Sequence, residues 1–566
     1  MSGDSPQSID RRGRGTGVLP TYVAPTLVIS AITLVSALWI GQHFGDTASF
    51  PPAFYYLFAK QELSGSALAI VILGAAWVLA RRVDQDSAER RIKAIADHPL
   101  IFTSIVVTIL ALASLVVHHN HPLTMDEYSV VFQSQVFAAG KLHGQLPPSL
   151  LPHLVPSFWH EEFFIVSPES GRIVQAYWPT FALLLAPFSL LGVPWLVNPL
   201  LAGASLLLVR WVARKLFDDP AAPGWAMLLA AASPAFTANA ITYYTMNAHL
   251  FFNLLYVALL LEITPKRLFL AGVVGSLALT IQHPVPHMLF SVPWFVYVAA
   301  RRGGMRNLAI LCAGYLPLCL ILGVGWLFVR MAIADPAMAA GSSGPVESLV
   351  RRGLELGGSK ITLPFAKLVY ARLMGILKVF SWAVPGLPIL AILGVGAYRR
   401  QPALRALAWS AGCVLVGFFF VPYTQGHGWG FRFFHAAWIA LPLLAAGFLT
   451  SRTIDRARWT RVVGLAAALS LVIGTAVRFS EIEGLVSSHL ALMPHCEAEG
   501  RRVTFLNLDD GYYIEDLIQN DPFLRDPDIR MLGRGPLADA ALVQTEFPGA
   551  RMLCRQGQSS VWSVSP

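Results

Sequence analysis

Two adjacent carboxylates, Asp126 and Glu127, stand in the stretch HPLTMDEYSVVFQSQVFAAGKL, directly after an apolar run. A carboxylate in a partly dry cleft can serve as a general base, taking the proton from a hydroxyl as its oxygen attacks. Neighbouring side chains on a helix point about 100° apart, so the two acids are expected to face different partners. One would hold an acceptor while the other orients a cation or a supporting donor. The plainer alternative is a pair of acids complementing a helix N-terminus, worth under ~1 kcal/mol.

A second group with chemistry is QGHGWGFRFFH, residues 425–435. Gly426, Gly428 and Gly430 let backbone come close to a ligand, and Arg432 stands where an apolar span begins. An arginine entering a span is costly unless it snorkels or pairs. Its planar fork of donors also matches a phosphate at headgroup level. His427 and His435 are placed to assist.

Further polar residues gather on the same side: Asn247 and His249 in TYYTMNAHLFF and His283 and His287 in IQHPVPHMLF at span ends, and Glu161 and Glu162 in FWHEEFF within the loop that holds the acidic pair. His118, His119, His121, His143, His153 and His160 are six of the chain's 15 histidines. With no HExxH and no paired-cysteine spacing, nothing here specifies a zinc site. The reading calls for no certain cofactor and leaves only a divalent cation open.

These residues must be held by elements, and the composition says which. The 566 residues are 55% hydrophobic and only 13% charged. The apolar residues fall in blocks of roughly 15–25, the length of a bilayer-crossing helix. Net charge of +9 would suggest nucleic acid in a soluble protein. Here the basic residues cluster between spans, at 11–15, 81–93, 301–306, 398–405 and 451–461, which is the positive-inside pattern. The charge therefore reports topology, and nucleic acid is excluded as a partner. The first apolar run lacks a cleavage-site pattern and is expected to remain as an anchor.

With the basic loops cytoplasmic, the expected fold is an all-α polytopic membrane protein of about 13 transmembrane helices with a small α/β extracytoplasmic C-terminal domain. Crossings are read at 21–40, 64–80, 99–118, 195–213, 224–243, 246–263, 268–282, 286–300, 307–331, 383–398, 404–422, 433–450 and 461–478. This leaves the N-terminus inside and residues 119–177 and 480–566 outside. Residues 179–193 are apolar but short, and read as a re-entrant or half-span. Residues 365–381, with Lys367, Arg372 and Lys378 among apolar neighbours, read as an interfacial amphipathic helix. Thr124-x-x-Glu127 is a capping-box pattern. It starts an amphipathic helix expected to lie on the outer leaflet and to end at Gly140. The loop 332–364, with GSSGPVESLVRRG and its Arg351 and Arg352, reads as either a lid or an unstructured connection.

In the last 85 or so residues, RRVTFLNL and ARMLCRQG alternate as strands do, and GYYIEDLIQNDPFL reads as a helix. Cys312, Cys319 and Cys413 lie in apolar spans and read as small core residues. Cys496 and Cys554 are expected to form a disulfide if this segment faces an oxidising compartment. The organisation then divides into 1–98, a tail and two-span addition; 99–478, a transmembrane domain with the acidic outer loop; and 479–566, the outer α/β domain.

The order of the motifs TMDEYSVVFQSQ, YWPTFALLLAPFSLLGV, ARKLFDDP, SPAFTANAITYYTMNAH and GFRFFHAAWIALPLLA resembles that of the GT-C glycosyltransferases. The likeness is to the bacterial branch of protein O-mannosyltransferases and lipid A aminoarabinose transferases, over roughly residues 99–450. It implies transfer of a sugar from a polyprenyl-phosphate donor to an acceptor hydroxyl outside the inner membrane, with inversion. By position, Asp126 would be the base and Glu127 its neighbour. Arg432, with His427 and His435, would meet the donor phosphate, and Asn247, His249, His283, Glu161 and Glu162 would line the cleft. The acceptor would be an envelope glycan, glycolipid or protein. Asn247 stands where the family carries a later acid, and residues 1–98 have no counterpart in its usual plan.

Three other classes compete. A transporter of an envelope precursor would place polar residues on broken helices at mid-membrane, often with an internal repeat, and no repeat is present. A lipid-linked glycan polymerase or ligase would not need the acidic helix. A non-catalytic assembly partner would form no product.

Overall fold

The computed structural model describes residues 17–44, 53–334, 361–423, 425–451, 454–496 and 500–564. The basic stretch at 11–15 and the loop with Arg351 and Arg352 lie outside the described residues.

The molecule is a polytopic helical bundle. Among the described residues, seven helices are long and apolar enough to cross a membrane, and six shorter apolar helices accompany them. The first elements are α1 (Ala24–Phe44), α2 (Ala53–Leu79), α3 (Gln85–Asp97) and α4 (Pro99–Val116). Val35 on α1, Val71 and Val78 on α2, and Ile105 and Leu112 on α4 are each more than half exposed. Such stripes would be an aggregation liability in water and are the expected surface in lipid. Helix α3 is different. Asp84 caps it by accepting from the Ser87 amide at 2.9 Å. Its Ile92 and Ala96 are buried, while Arg90, Arg91 and Lys93 are exposed. This is the pattern of a helix lying along a membrane surface.

Every expected crossing coincides with a helix, but some are broken. The span expected at 224–243 is two helices, Ala222–Ala231 and Pro234–Ala240, parted at Ser233. Pro234 has no amide to continue the ladder, and the free backbone is used across the bundle, where the Ala235 amide donates to the Trp382 carbonyl at 2.7 Å. The last span overshoots: an unbroken helical run, Arg456–Leu490, carries the chain beyond the bundle. The short segment at 179–193 is the helix Thr180–Leu190. Eleven residues rise about 16 Å, roughly half a hydrocarbon core.

One expectation fails in this region. The helix Ala366–Ser381 does not lie at an interface with its cations in water. Lys367 is exposed, but Arg372 and Lys378 are only 1% exposed. Arg372 donates to the carbonyls of Phe418 and Val421 at 2.7 and 2.9 Å. Lys378 lies 3.5 Å from the buried Glu62 of α2. Local pattern marks an amphipathic helix but does not reveal that a carboxylate waits on another span.

Outside the bundle, α5 (Met125–Ala138) carries the acidic pair. It ends as the glycine predicts. The Gly140 amide donates to Phe137 and the Lys141 amide to Val136, with Gly140 left-handed at φ +70°. It does not lie open on a leaflet. Residues on all its sides are buried, from Met125 to Val136. Beside it is a small antiparallel sheet of β1 (Gly144–Gln145), β2 (Phe164–Val166) and β3 (Arg172–Gln175), ordered β1-β3-β2.

The C-terminal region is an α/β unit with β4 (Arg501–Leu506), β5 (Asp528–Leu532), β6 (Arg551–Gln556) and β7 (Ser559–Val564) in the order β5-β4-β7-β6. Strands β4 and β5 run parallel and the other pairs antiparallel. The helix Pro536–Glu546 follows β5. The expected helix over GYYIEDLIQNDPFL is only a turn, Ile514–Leu517, with Tyr513 left-handed at φ +56° before it and the Asn520 amide donating to the Tyr128 hydroxyl at 2.7 Å after it. Cys496 and Cys554 are joined by a disulfide, as expected. Met125, Tyr128, Phe132 and Val136 of α5 share one hydrophobic core with Val503, Phe505, Leu517 and Met531. The outer loop and the C-terminal unit are therefore packed as one body over the bundle.

Candidate functional site

Asp126 lies in the first turn of α5, and its carboxylate accepts from Arg432 Nη1 at 2.8 Å. The Tyr177 hydroxyl donates to its other oxygen. The Asp126 side chain is 23% exposed and that of Arg432 is 7% exposed, so the pair is largely buried while the carboxylate keeps some access to solvent. Burial pushes the Asp126 carboxyl up, but the Arg432 charge and the Tyr177 hydrogen bond more than offset this and hold it below its ordinary range.

Arg432 opens a 3₁₀ turn, Arg432–Ala437. Its guanidinium donates to the His427 carbonyl at 2.7 Å and lies 4.1 Å from the Tyr244 ring centroid. Its backbone amide donates to Gln425 Oε1 at 2.8 Å, while Gln425 Nε2 donates to the Gly430 carbonyl at 2.9 Å. Residues 425–432 thus form a loop tied across its own base by one glutamine. Gly428 has φ +138°, and a Cβ there would meet Arg432 Cδ at 2.2 Å. The glycine is required because the arginine folds back over it. Arg432 Nε is buried with no acceptor among the described residues. A buried, unpaired donor on a charged group is unfavourable by itself and well suited to an incoming oxyanion.

Glu127 faces the other way, as two adjacent helix positions must. It is fully buried and accepts the Leu123 amide at 2.9 Å and the Tyr243 amide at 2.7 Å. The capping box is therefore not formed in its usual sense. The glutamate reaches one residue past the cap, and the Thr124 hydroxyl meets the Tyr244 hydroxyl at 3.2 Å instead of an amide of its own helix. Burial outweighs the two amide bonds and pushes the Glu127 carboxyl up to about 8. Its geometry is that of a clamp on the turn 242–244. Asn198 grips the same turn from below, donating to the Thr242 and Tyr244 carbonyls at 2.7 and 2.8 Å.

The remaining candidates fall at graded distances from the pair. His283 stands edge-on to the Tyr177 ring at 5.1 Å, at the exposed rim. Glu162 is exposed near Tyr177, and Glu161 occupies a left-handed turn at φ +66°. His435 Nε2 lies 3.1 Å from Asn247 Oδ1, both buried behind Arg432. The His427 ring turns away toward Tyr513, 4.5 Å between centroids, so it is the carbonyl of His427 and not its imidazole that meets Arg432. His249 is buried, and its Nδ1 has no partner among the described residues. Among the described residues no three His, Cys, Asp or Glu side chains are grouped to hold a metal.

Sequence reasoning missed Tyr177, Tyr244, Asn198 and Gln425, although the first, second and fourth stand inside stretches singled out for their neighbours. It also missed the roof. Tyr128 OH donates to the Asn520 carbonyl at 2.6 Å, and Gln519 donates to the Pro122 carbonyl at 2.6 Å. Asp516 is buried against the Met125 amide at the start of α5, and burial raises its carboxyl well above the ordinary range.

No family model and no curated protein sequence matches the chain. Among solved structures, it is similar to ArnT from Cupriavidus metallidurans bound to undecaprenyl phosphate and to the same protein in the apo state. Each comparison has a TM-score of 0.51 and 13% identity over 82% of this chain, covering 97% and 98% of the respective neighbour. The chain therefore shares the fold of these structures, a multi-pass helical bundle with a C-terminal α/β unit packed over one end.

Proposed function

We propose that this chain is an inverting glycosyltransferase of the inner membrane, moving a sugar from a polyprenyl-phosphate donor to an acceptor hydroxyl on the extracytoplasmic side. The observation that carries the reading is the Asp126–Arg432 pair, one carboxylate and one cation at 2.8 Å with the carboxylate still partly exposed. A phosphate leaving group needs charge stabilisation more than it needs an acid, so one base and one cation suffice. Glycosidases, which must protonate their leaving group, need two facing carboxylates. Here the second carboxylate, Glu127, is turned away and spent on backbone amides.

In this reading the donor phosphate takes the free donors of Arg432, and the arginine loosens its hold on Asp126. The carboxylate is then released to accept the proton of the attacking hydroxyl. The acceptor oxygen bonds to the anomeric carbon as the bond to the phosphate oxygen breaks. The proton goes to Asp126 and the electron pair to the polyprenyl phosphate, inverting the centre. Tyr177 positions the carboxylate, and Tyr244 supports the guanidinium. The fold similarity to a protein crystallised with undecaprenyl phosphate supports a lipid-linked donor. The positive-inside pattern supports a cytoplasmic N-terminus with residues 480–566 outside.

The test supplies purified protein in lipid with radiolabelled polyprenyl-phosphate sugars and an envelope extract. Label should pass into the extract with the native chain and fall by about 10²–10⁴-fold with Asp126→Asn. Undiminished transfer by that variant sinks the assignment of the base. Absence of transfer from a broad donor panel sinks the enzyme reading itself.

A further inference from the structure

The far end of the bundle carries a second polar constellation that the transfer reaction does not use. Tyr56, in the first turn of α2, lies 5.3 Å from Tyr512 of the outer unit. Trp77 is further along the same helix by roughly 30 Å and so lies at the opposite membrane face. There, α2 and the helix Arg456–Leu469 border a cavity of about 310 Å³ lined by Trp77, Ala80, Arg81, Arg458, Arg461 and Val462. The Arg458 guanidinium lies 4.9 Å from the Trp77 ring centroid. Among the described residues, Arg461 donates to the Ala457 carbonyl of its own helix at 3.3 Å and to no other group.

These three arginines have no carboxylate within ion-pair distance among the described residues, although acids lie nearby. Those acids are taken: Asp455 caps the helix by accepting from the Arg458 backbone amide at 3.5 Å, Asp84 lies 3.7 Å from Arg90, and Glu89 and Asp219 flank Arg456 at 3.4 and 2.5 Å. Three positive charges around one cavity repel each other, and an anion relieves that repulsion. The level of the cavity identifies the anion. The amphipathic α3 lies along the membrane surface at this end, and Val78, next to Trp77, is 61% exposed on the lipid side. The opening is therefore at headgroup depth, with an apolar lip beside acyl chains.

We propose that this cavity binds the phosphate headgroup of an anionic glycerophospholipid from the leaflet opposite the Asp126 site. Arg81, Arg458 and Arg461 would hold the phosphodiester, and Trp77 would set the depth of the glycerol. The assignment does not depend on whether the chain transfers sugars.

Native mass spectrometry of the full chain in detergent tests it, with phosphatidylglycerol, phosphatidylcholine and inorganic phosphate added in separate titrations. Phosphatidylglycerol adducts should appear at concentrations at least roughly tenfold below those of phosphatidylcholine, given about fivefold per basic contact. R81Q/R458Q/R461Q should weaken the phosphatidylglycerol adduct on the order of a hundredfold, and Arg81→Gln alone roughly fivefold. R91Q/K93Q, on the exposed side of α3, should leave it unchanged. Equal affinity in the triple variant, or in Arg81→Gln should the triple variant not fold, overturns the site. Displacement of the lipid by millimolar inorganic phosphate also overturns it, because the cavity would then be a soluble-anion site.

Discussion

Asp126 and Arg432 are 306 residues apart in the chain and share a hydrogen bond of 2.8 Å. Their contact makes the acid limb of activity a readable quantity. The native Asp126 carboxyl is held below its ordinary range, so it is ionised at neutral pH, and activity should be lost only as pH falls through that depressed value. Tyr177→Phe removes one of the groups that hold it down. The acid limb of kcat/KM should therefore move to higher pH, while the alkaline limb stays in place. A profile that does not move would mean that Asp126 is not the titrating group. Glu127 has the opposite sign. Its carboxyl is raised from an ordinary 4.5 to about 8, so its share of stability is full below about 4.5 and is lost as pH rises toward 8. Glu127→Gln should destabilise the fold by about 1–3 kcal/mol, since its amide nitrogen would face a backbone N–H in place of an acceptor. Thermal melts in detergent measure this.

At the scale of elements, the site is held by two turns and one helix end. The turn 242–244 is gripped by Glu127 above and Asn198 below. Asn198→Ala leaves two buried carbonyls without a donor and should lower stability by about 1–3 kcal/mol, with a fall in transfer rate that follows. The arginine loop depends on Gly428, whose added Cβ would strike Arg432 Cδ at 2.2 Å. Gly428→Ala should displace the guanidinium and lower kcat/KM by at least tenfold, while the melting temperature stays near that of the native chain. A large drop in melting temperature would instead mark the loop as structural. The acidic helix, its terminal glycine and the arginine loop were legible in the sequence, because each is a local pattern of charge and small residues. Tyr177, Asn198 and Gln425 were not, because a tyrosine, an asparagine or a glutamine acquires such a part only through what it faces.

At the scale of the molecule, the outer unit and the acidic helix share one hydrophobic core, from Phe132 and Val136 to Phe505 and Met531. Stability of the C-terminal sheet should therefore be felt at Asp126. The Cys496–Cys554 disulfide closes a loop between residues 58 apart and is worth about 2–4 kcal/mol. Cys496→Ser with Cys554→Ser should lower the melting temperature of the outer unit and reduce transfer together. Loss of stability with undiminished activity would show that the roof does not position α5. The N-terminal helices are tied in as firmly. Glu62 of α2 is buried between Lys378 and Arg478 at 3.5 and 3.7 Å, so α2 is anchored in the same packing as the later helices.

By itself the sequence determined the membrane class, the placing of most helices, the strands β4 and β6, the Cys496–Cys554 pairing, and the two charged groups around which a site could form. Those features are written in hydropathy, charge spacing and cysteine position, all of which act over a few residues or a single helix length. Only the tertiary structure decided that the acid and the arginine meet, that Glu127 turns inward to hold a turn, and that α5 is roofed rather than laid on a leaflet. It also decided that Arg372 and Lys378 are buried. Each of these outcomes depends on which distant group supplies the hydrogen bond or counter-charge. In a low-dielectric interior that partner sets whether a charge can be buried at all, and no local pattern names it.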